Sequence, residues 1–492
     1  MSTKKESNYM NGSEKIDRGT TVSSFVWKLL ERFFSQGISL VVQIVLARIL
    51  LPEDFGSLAI IVAIINYAAI FVQSGVTTAI VQKKHINDRD VSSVFLVSVA
   101  IAAVMYIGLF VASPFIADFY RLPELNWALR VLALNLFLHG INSVQTALLS
   151  RKMCFKKLFF RSMLSVPISG AVGIVMAHLG FGVWALVSHH LTNMLVIVLF
   201  MSLDKDARFK LSFSWESVKE IYSFCWKIML TSMIAGFHDT LRTTVIGKKY
   251  HTEDLAYYDK AYTYSSYVTL IVNTSISSVL LPVFSRQQDD VNQLRSMARR
   301  AAKLSSFVMF PVLLGVAATA DPLVRLLLTD KWAASIPFLM LFCILRLPGC
   351  IMTADKQVYF ALGRSEINLG YEIGLFIANL STLIITVPYG PLAIAIGATV
   401  VEILGGITVW IISSKTYGYR VWSRIKDIAR PALNSVIMAA TVWFVGSLLP
   451  YKPLIKLVVQ LPLGVILYIA LSIATRDESF KYCLTMINKI KK

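Results

Sequence analysis

About fourteen apolar runs follow one another along the chain, and they constrain its fold more than any other feature. A run of roughly 20 apolar residues crosses the hydrocarbon core of a bilayer as one α-helix. The runs occupy approximately 23–50, 55–80, 92–117, 127–149, 159–178, 182–203, 220–246, 256–282, 301–320, 334–360, 367–388, 391–413, 431–449 and 455–474. The sequence therefore predicts an all-α, polytopic integral membrane protein with about fourteen transmembrane helices.

The composition agrees with this prediction, because 56% of the 492 residues are hydrophobic and only 16% are charged. The connections between the runs are mostly about 5 to 15 residues long, which is too short for a folded domain outside the bilayer. Polar residues precede the first run, which is also longer than the apolar core of a signal peptide. We therefore expect residues 1–22 to form a cytoplasmic tail.

The distribution of Lys and Arg predicts the orientation of the chain. Cytoplasmic connections of membrane proteins are enriched in Lys and Arg. If alternate connections are assigned to the cytoplasm from the N-terminus, they contain about 32 basic residues, against about 7 on the opposite side. We expect both termini, including the tail 475–492, to lie in the cytoplasm, with the chain in the inner or plasma membrane. The basic residues are spread over short loops without base-stacking aromatic residues, so no nucleic-acid partner is expected.

Two short motifs occur twice, about 200 residues apart. SFVWK at 24–28 matches SFCWK at 223–227, and PEDFG at 52–56 matches TEDLA at 252–256. We interpret them as traces of a duplication, with an N-lobe of helices 1–6 at 23–203, a cytoplasmic linker at 204–219, a C-lobe of helices 7–12 at 220–413, and two additional helices at 414–474. The alternative is a chance likeness between helical bundles that share small residues and aromatics at their interfaces.

Nine basic residues fall inside or at the edges of the runs, where each costs roughly 2.5 to 3.5 kcal/mol if it faces lipid at a helix centre. Arg48, Arg130 and Lys356 lie near ends and can extend to the interface. The other six are predicted to line a cationic central cavity between two pseudosymmetric lobes: Lys28, Arg32, Lys227, Arg242, Lys260 and Arg346. A cavity with this charge selects an anionic, phosphate-bearing substrate.

Acidic residues are fewer in the runs, and they are candidates for ion coupling or for ion pairs: Glu31, Asp239, Asp355, Glu372 and Glu402. The i, i+3 spacing of Asp239 and Arg242 indicates a structural ion pair as readily as a functional site. The sequence has no paired-carboxylate site, metal-ligand cluster, P-loop or nucleophile motif. We therefore expect no enzyme activity, no metal and no cofactor.

Four segments together resemble the Wzx-type polysaccharide flippases of the MOP (multidrug, oligosaccharidyl-lipid, polysaccharide) transporter superfamily, especially the branch similar to colanic acid exporters. They are WKLLERFFSQ…VLARILLPEDFG (27–56), IGKKYHTEDLAYYDKAY (246–262), LLPVFSRQQDDVNQLR (280–295) and TDKWAASIPFL (329–339). The resemblance implies two six-helix lobes of the MATE type plus two added helices. It also implies transfer of an undecaprenyl-diphosphate-linked oligosaccharide, a repeat unit of O-antigen, capsule or exopolysaccharide, from the cytoplasmic to the outer leaflet.

The resemblance also identifies residues that match the family's motifs, and it implies partners. Arg32, Gln36, Arg48, Pro52 and Gly56 match the pattern of the family's first helix and the turn after it. Lys260 matches a cation that follows a tyrosine pair, whereas Arg242 stands where an acidic residue is expected. The implied partners are the lipid-linked substrate, membrane lipids, a polysaccharide polymerase and a chain-length regulator, with the protein itself a monomer.

Two other functions remain open at this point. A multidrug exporter of the same fold moves organic cations and needs an acidic cavity, which the excess of basic residues disfavours. A membrane-embedded polysaccharide polymerase or glycosyltransferase needs a sizeable outward loop or surface carboxylates, and the longest outward loop here is only about a dozen residues. The basic helix at 291–304 is predicted to lie at the lipid headgroups and to assist capture of a diphosphate, unless it is a plain positive-inside loop.

Overall fold

The structure is a computed structural model that describes residues 18–73, 75–83, 86–204, 206, 209, 211–285, 290–450 and 452–480. These residues form α-helices joined by short turns, and the described part contains no β-strand. By internal packing the chain divides into two compact units, Met1–Ala256 and Tyr257–Lys492, which are described separately.

The first unit contains nine α-helices in its described residues. They are α1 (Arg18–Ile49), α2 (Pro52–Gln73), α3 (Val76–Gln82), α4 (Asp88–Tyr120), α5 (Glu124–Leu132), α6 (Asn135–Arg151), α7 (Phe155–His178), α8 (Val183–Leu203) and α9 (Trp215–Lys249). The predicted seventh span, α9, packs on α2 and α4 within this unit. The predicted lobe boundary at 204–219 stays a prediction.

The helix α10 (Thr252–Ser285) begins in the first unit and continues in the second. The second unit then contains α11 (Val291–Ala318), α12 (Ala320–Leu328), α13 (Ile336–Leu345), α14 (Leu347–Ala361), α15 (Ser365–Thr386), α16 (Pro391–Tyr417), α17 (Val421–Leu448) and α18 (Pro453–Ala474), with 3-10 turns at Asp330–Ser335 and Val387–Tyr389.

Within the described residues, 12 helical segments are long and apolar enough to cross a bilayer. The helices α9 and α10 coincide with the predicted seventh and eighth spans and have 35 and 34 residues, but they are not among these twelve. The predicted all-α, multi-pass membrane fold is confirmed. The count of fourteen spans stays a prediction.

The surface of the helices is apolar while their buried positions include polar residues. On α18, Leu454, Val458 and Val465 are exposed, whereas Gln460 and Ser472 are buried. A soluble helix has the opposite arrangement. Lipid around the protein explains this distribution, because apolar side chains face the acyl chains and small or polar ones mediate helix packing.

The repeated ED motifs occupy the same local structure in both places, at the start of α2 and of α10. Leu51 N–H donates to Asp54 Oδ2 at 3.0 Å, and His251 N–H donates to Asp254 Oδ2 at 3.4 Å. A carboxylate in the first turn satisfies an N–H that has no partner within the helix, and it interacts favourably with the helix dipole. The sequence repeat is therefore also a repeat of helix starts.

The fourth and the tenth predicted spans, one in each unit, are both broken. In the first unit the span Glu124–Arg151 is divided into α5 and α6, and in the second the span Asp330–Ala361 is divided between α13 and α14. Pro348 at the start of α14 has no N–H to continue the helical hydrogen bonds. Breaks inside membrane spans are tolerated where the freed backbone is buried in protein or lines a cavity.

Candidate functional site

The break in the second unit places a predicted site residue at the middle of a membrane span. Arg346 lies between α13 and α14, with its guanidinium 4.3 Å from the centre of the Tyr262 ring of α10. Its Nη2 donates to the Tyr262 carbonyl at 3.4 Å. Its buried Nε has no hydrogen-bond partner within the described part of the chain. A buried donor without a partner costs roughly 1 to 3 kcal/mol, so this guanidinium is suited to receive an anion.

Lys260 lies on the same helix as Tyr262 and is also buried, with 7% of the residue exposed. Its amine is 5.9 Å from the centre of the Tyr264 ring, whose buried hydroxyl has no hydrogen-bond partner among the described residues. A lysine that is removed from water remains charged only where neighbouring groups or a ligand compensate the lost hydration. α10 therefore presents a cation and tyrosine side chains close to the helix break.

Arg242 is a buried cation of the first unit, with 9% of the residue exposed. Its Nη2 lies 3.2 Å from Asp239 Oδ1, one helical turn earlier on α9. Asp239 is more exposed and also lies 3.6 Å from His238 Nδ1. The carboxylate reduces the cost of burying the guanidinium, so Arg242 presents less uncompensated charge than its sequence position implies.

In the middle of α1 the structure describes two of the predicted residues. Arg32 is half-buried, and Glu31 accepts a hydrogen bond from Ser162 Oγ of α7 at 3.0 Å. The side chains of Lys28 and Lys227 lie outside the described residues, so their predicted role in the site stays a prediction. This hydrogen bond connects α1 to α7 next to Arg32, one of the residues predicted to line the cationic cavity.

Of the other three acidic candidates, two form ion pairs with basic residues and the third lies on α16. Asp355 of α14 is buried and forms an ion pair with Arg424 of α17 at 2.5 Å. Glu372 of α15 accepts from Lys356 at 2.8 Å. Glu402 is half-buried on α16. The described carboxylates of the second unit therefore include two that are already compensated by a neighbouring cation.

The residues of the family's turn motif define the start of α2. Pro52 and Gly56 are buried, whereas Arg48 is exposed at the end of α1. A β-carbon on Gly56 would lie only 2.0 Å from the Thr252 carbonyl oxygen. Only glycine permits this close approach of α2 and the start of α10.

The first unit contains a second polar site at its own helix break. A pocket of about 200 Å³ is lined by polar side chains of α2, α6 and α8, namely Asn66, Asn135, His139, His190 and Asn193. The pocket has no carboxylate, lysine or arginine in its lining. The oxygens Asn135 Oδ1 and Asn193 Oδ1 are buried without a hydrogen-bond partner among the described residues. Such a pocket suits a neutral ligand that donates hydrogen bonds.

Sequence reasoning missed this neutral pocket and two arginines whose side chains are bonded to polar groups within the protein. Asn135 and His139 are four residues apart, and His190 and Asn193 are three apart, so helical spacing of polar residues in apolar runs was the available signal. The count of basic residues by connection places Arg161 and Arg424 with the cytoplasmic connections, and their side of the bilayer stays a prediction. Both lie within helices, Arg161 on α7 and Arg424 on α17, where their side chains donate hydrogen bonds to Asn142 and Asp355.

Comparison with known proteins gives relatives along nearly the whole chain. The chain is 26% identical over 490 residues to the succinoglycan biosynthesis transport protein ExoT of Rhizobium meliloti (strain 1021), covering 96% of each chain. It is 26% identical over 452 residues to the lipopolysaccharide biosynthesis protein WzxC of Escherichia coli (strain K12), covering 92% of this chain and 89% of that one.

Among solved structures, the lipid II flippase MurJ in an inward closed conformation has a similar fold. The TM-score is 0.74 at 17% sequence identity, over 94% of this chain and 99% of that chain. This likeness shows the fold. Residues 45–337 match the family described as polysaccharide biosynthesis protein, which confirms the resemblance found in the sequence. The chain is a multi-pass membrane protein that belongs to the polysaccharide biosynthesis protein family.

Proposed function

We propose that the protein is a flippase that moves an undecaprenyl-diphosphate-linked oligosaccharide from the cytoplasmic to the outer leaflet by alternating access. The observation that carries this proposal is Arg346, which is located at a mid-span helix break with a buried, unpartnered Nε and contacts Tyr262 of α10, the helix that also contains the buried Lys260. A diphosphate is a fitting partner, because guanidinium and ammonium groups bind phosphate oxygens with charge-assisted hydrogen bonds. Lys28, Arg32, Lys227 and Arg242 are proposed to contribute to the same substrate path.

The neutral pocket of the first unit supports the sugar part of this proposal. Its amides and imidazoles both donate and accept hydrogen bonds, as sugar hydroxyls do. A lipid-linked oligosaccharide has a charged diphosphate and neutral sugars. The protein has cations at the break in the second unit, which suit the diphosphate, and amides at the break in the first unit, which suit the sugars.

The multidrug exporter is the weaker candidate. An exporter of organic cations needs carboxylates that are available to the substrate. Asp239, Asp355 and Glu372 each lie within 3.2 Å of a lysine or arginine nitrogen. These pairs leave little negative charge for a cationic drug.

We further propose that the protein lies in the inner or plasma membrane with both termini in the cytoplasm, acts as a monomer, and works with a polysaccharide polymerase and a chain-length regulator. The excess of basic residues in alternate connections supports this orientation. A green fluorescent protein fused to the C-terminus should fluoresce, whereas alkaline phosphatase at the same position should be inactive. The opposite result would reverse the proposed orientation.

Transport of a defined probe tests the function directly. Purified protein in liposomes would be given undecaprenyl diphosphate that carries a fluorescent disaccharide in both leaflets, and a membrane-impermeant quencher would be added outside. Rapid, nearly complete quenching is expected with protein, and quenching of only about half the signal is expected without it. Half-quenching with folded protein, together with uptake of ethidium driven by an ion gradient, would favour the multidrug exporter. Elongation of the disaccharide would favour the polymerase.

A further inference from the structure

A separate basic pocket lies at the start of α11. The pocket has a volume of about 540 Å³, and its lining includes Ser296, Arg299, Arg300, Lys303, Glu478 and Ser479. Three of these residues are basic and one is acidic. The volume is large enough for a lipid headgroup, since sites for small molecules typically measure about 300 to 1,000 Å³.

Asp427, which does not itself line the pocket, contacts two of the lining side chains. Arg299 donates two hydrogen bonds to Asp427 of α17, at 2.5 and 2.6 Å. Lys303 lies 3.2 Å from the same carboxylate and donates to Glu478 at 2.7 Å. Tyr419 donates a third hydrogen bond to Asp427 at 2.9 Å. The positions of Arg299 and Lys303 are therefore fixed by their contacts, which is what a preorganised anion site requires.

The charges of the pocket do not cancel. Arg299 and Lys303 contact the two carboxylates of Asp427 and Glu478, and Arg300 is a third basic residue of the lining, so one positive charge is in excess. Arg300 is exposed and lines the open pocket. The Lys303 amine lowers the pKa of the Glu478 carboxyl by a hydrogen bond and by its charge, and so keeps that group ionised. The serine hydroxyls of Ser296 and Ser479 add neutral donors.

The pocket lies at the depth of lipid headgroups. It spans residues 296–304 of α11, about 12 Å of helix, and Leu304 in its lining marks the beginning of the apolar part of that helix. Glu478 and Ser479 lie four and five residues after Ala474, the last residue of the apolar α18. The polar ends of two bilayer-length helices thus meet at the pocket, and the zone between the hydrocarbon core and water is where headgroups lie.

We infer that this pocket is a binding site for the phosphate group of a membrane lipid. Basic pockets between transmembrane helices at the cytoplasmic surface bind anionic headgroups, and arginine binds phosphate oxygens through paired donors. An anionic phospholipid and a prenyl diphosphate both present this chemistry. The inference is independent of the proposed transport function, since it requires only a phosphate on a lipid at this depth.

Native mass spectrometry of the full-length protein in detergent tests this site. The probes are dioleoyl phosphatidylglycerol, farnesyl diphosphate and, as a lipid without net charge, dioleoyl phosphatidylethanolamine. Arg300→Gln should reduce binding of an anionic probe about fivefold, as expected for one basic residue near a membrane surface. Ser296→Trp should fill the pocket and reduce binding without a change of charge. The matched control is Lys426→Gln, which removes a basic residue of α17 that does not line the pocket.

The outcomes distinguish a phospholipid site from a diphosphate site, and they distinguish both from general attraction of lipids to surface charge. Loss of phosphatidylglycerol binding alone in the pocket variants identifies a phospholipid site, and loss of farnesyl diphosphate binding alone identifies a diphosphate site. Equal losses in Lys426→Gln and Arg300→Gln would show that general surface charge attracts the lipids, and the site would be rejected. Unchanged binding in both pocket variants, or equal binding of phosphatidylethanolamine, would reject it as well. A thermal melt of each variant confirms that the protein is folded.

Discussion

Arg424 donates two hydrogen bonds to Asp355, from Nη1 to Oδ2 at 2.5 Å and from Nη2 to Oδ1 at 2.8 Å. Both side chains are almost completely buried. Tyr417 donates to the same carboxylate, and the Arg424 guanidinium lies 4.1 Å from the centre of the Tyr419 ring. These contacts attach α17, the first helix beyond the predicted lobes, to α14.

The first prediction concerns this buried pair. Removing one partner leaves an uncompensated charge, so Asp355→Ala and Arg424→Ala should each destabilise the protein by about 3 to 5 kcal/mol. The double change Asp355→Leu with Arg424→Met should recover much of the loss, because no charge stays buried. Melting temperatures of the purified variants in detergent measure this. The control is Lys356→Met, which breaks a more exposed pair and should have a smaller effect. A double variant no more stable than either single one would contradict the prediction.

The second prediction concerns the close approach of two helix starts. A methyl group at Gly56 would lie 2.0 Å from the Thr252 carbonyl oxygen, so Gly56→Ala forces α2 and α10 apart and should lower the melting temperature. A methyl group at Gly108 of α4 would meet no other atom within 4 Å. Gly108→Ala is therefore the matched control and should be neutral or stabilising by roughly 0.5 to 1 kcal/mol. Equal melting temperatures for the two variants would contradict the packing argument.

The third prediction concerns the charge of Lys260. If Lys260 binds the substrate's diphosphate, Lys260→Ala should reduce transport of the fluorescent probe about 10- to 100-fold, the range expected for a lost contact of 1.5 to 3 kcal/mol. Lys260→Arg keeps the charge and should retain more activity. Lys415→Ala, at an exposed position of α16, removes the same charge elsewhere and should transport normally. If Lys260→Arg is as inactive as Lys260→Ala while both are folded, the role of Lys260 is steric rather than electrostatic.

The fourth prediction concerns Arg32 on the first helix. Arg32→Ala should lower the affinity for the lipid-linked diphosphate about 10- to 100-fold, and Arg32→Lys should restore only part of it because the two-pronged contact is lost. The contrasting residue is Arg161, which donates to Asn142 at 2.9 Å and to Thr146 at 3.0 Å. Arg161→Met should therefore reduce the amount of folded protein. Folded Arg32→Ala protein with normal polymer export in a complementation assay would exclude the phosphate role.

Most of the fold was predictable from the sequence because its determinants are local. The apolar runs gave the positions of the long helices, since a backbone in lipid must form its hydrogen bonds within a segment. The helix starts at Pro52 and Thr252 were visible as the repeated ED motif, because the capping carboxylate lies three residues from the N–H it accepts. The breaks at 133–134 and at Arg346 were not predicted, because the runs containing them are continuous in hydropathy.

The sequence alone determined which charged residues fall within the apolar runs, and the tertiary structure decided which charges are compensated. Asp355 and Arg424 are 69 residues apart in the chain, and Arg299 and Asp427 are 128 apart, so neither pair has a signal in local spacing. The reason is that burial makes a charge costly wherever it lies, but its partner is chosen by the packing of distant helices. The neutral pocket of Asn135 and Asn193 has the same origin, because amides on separate helices become one site only when α6 and α8 pack together.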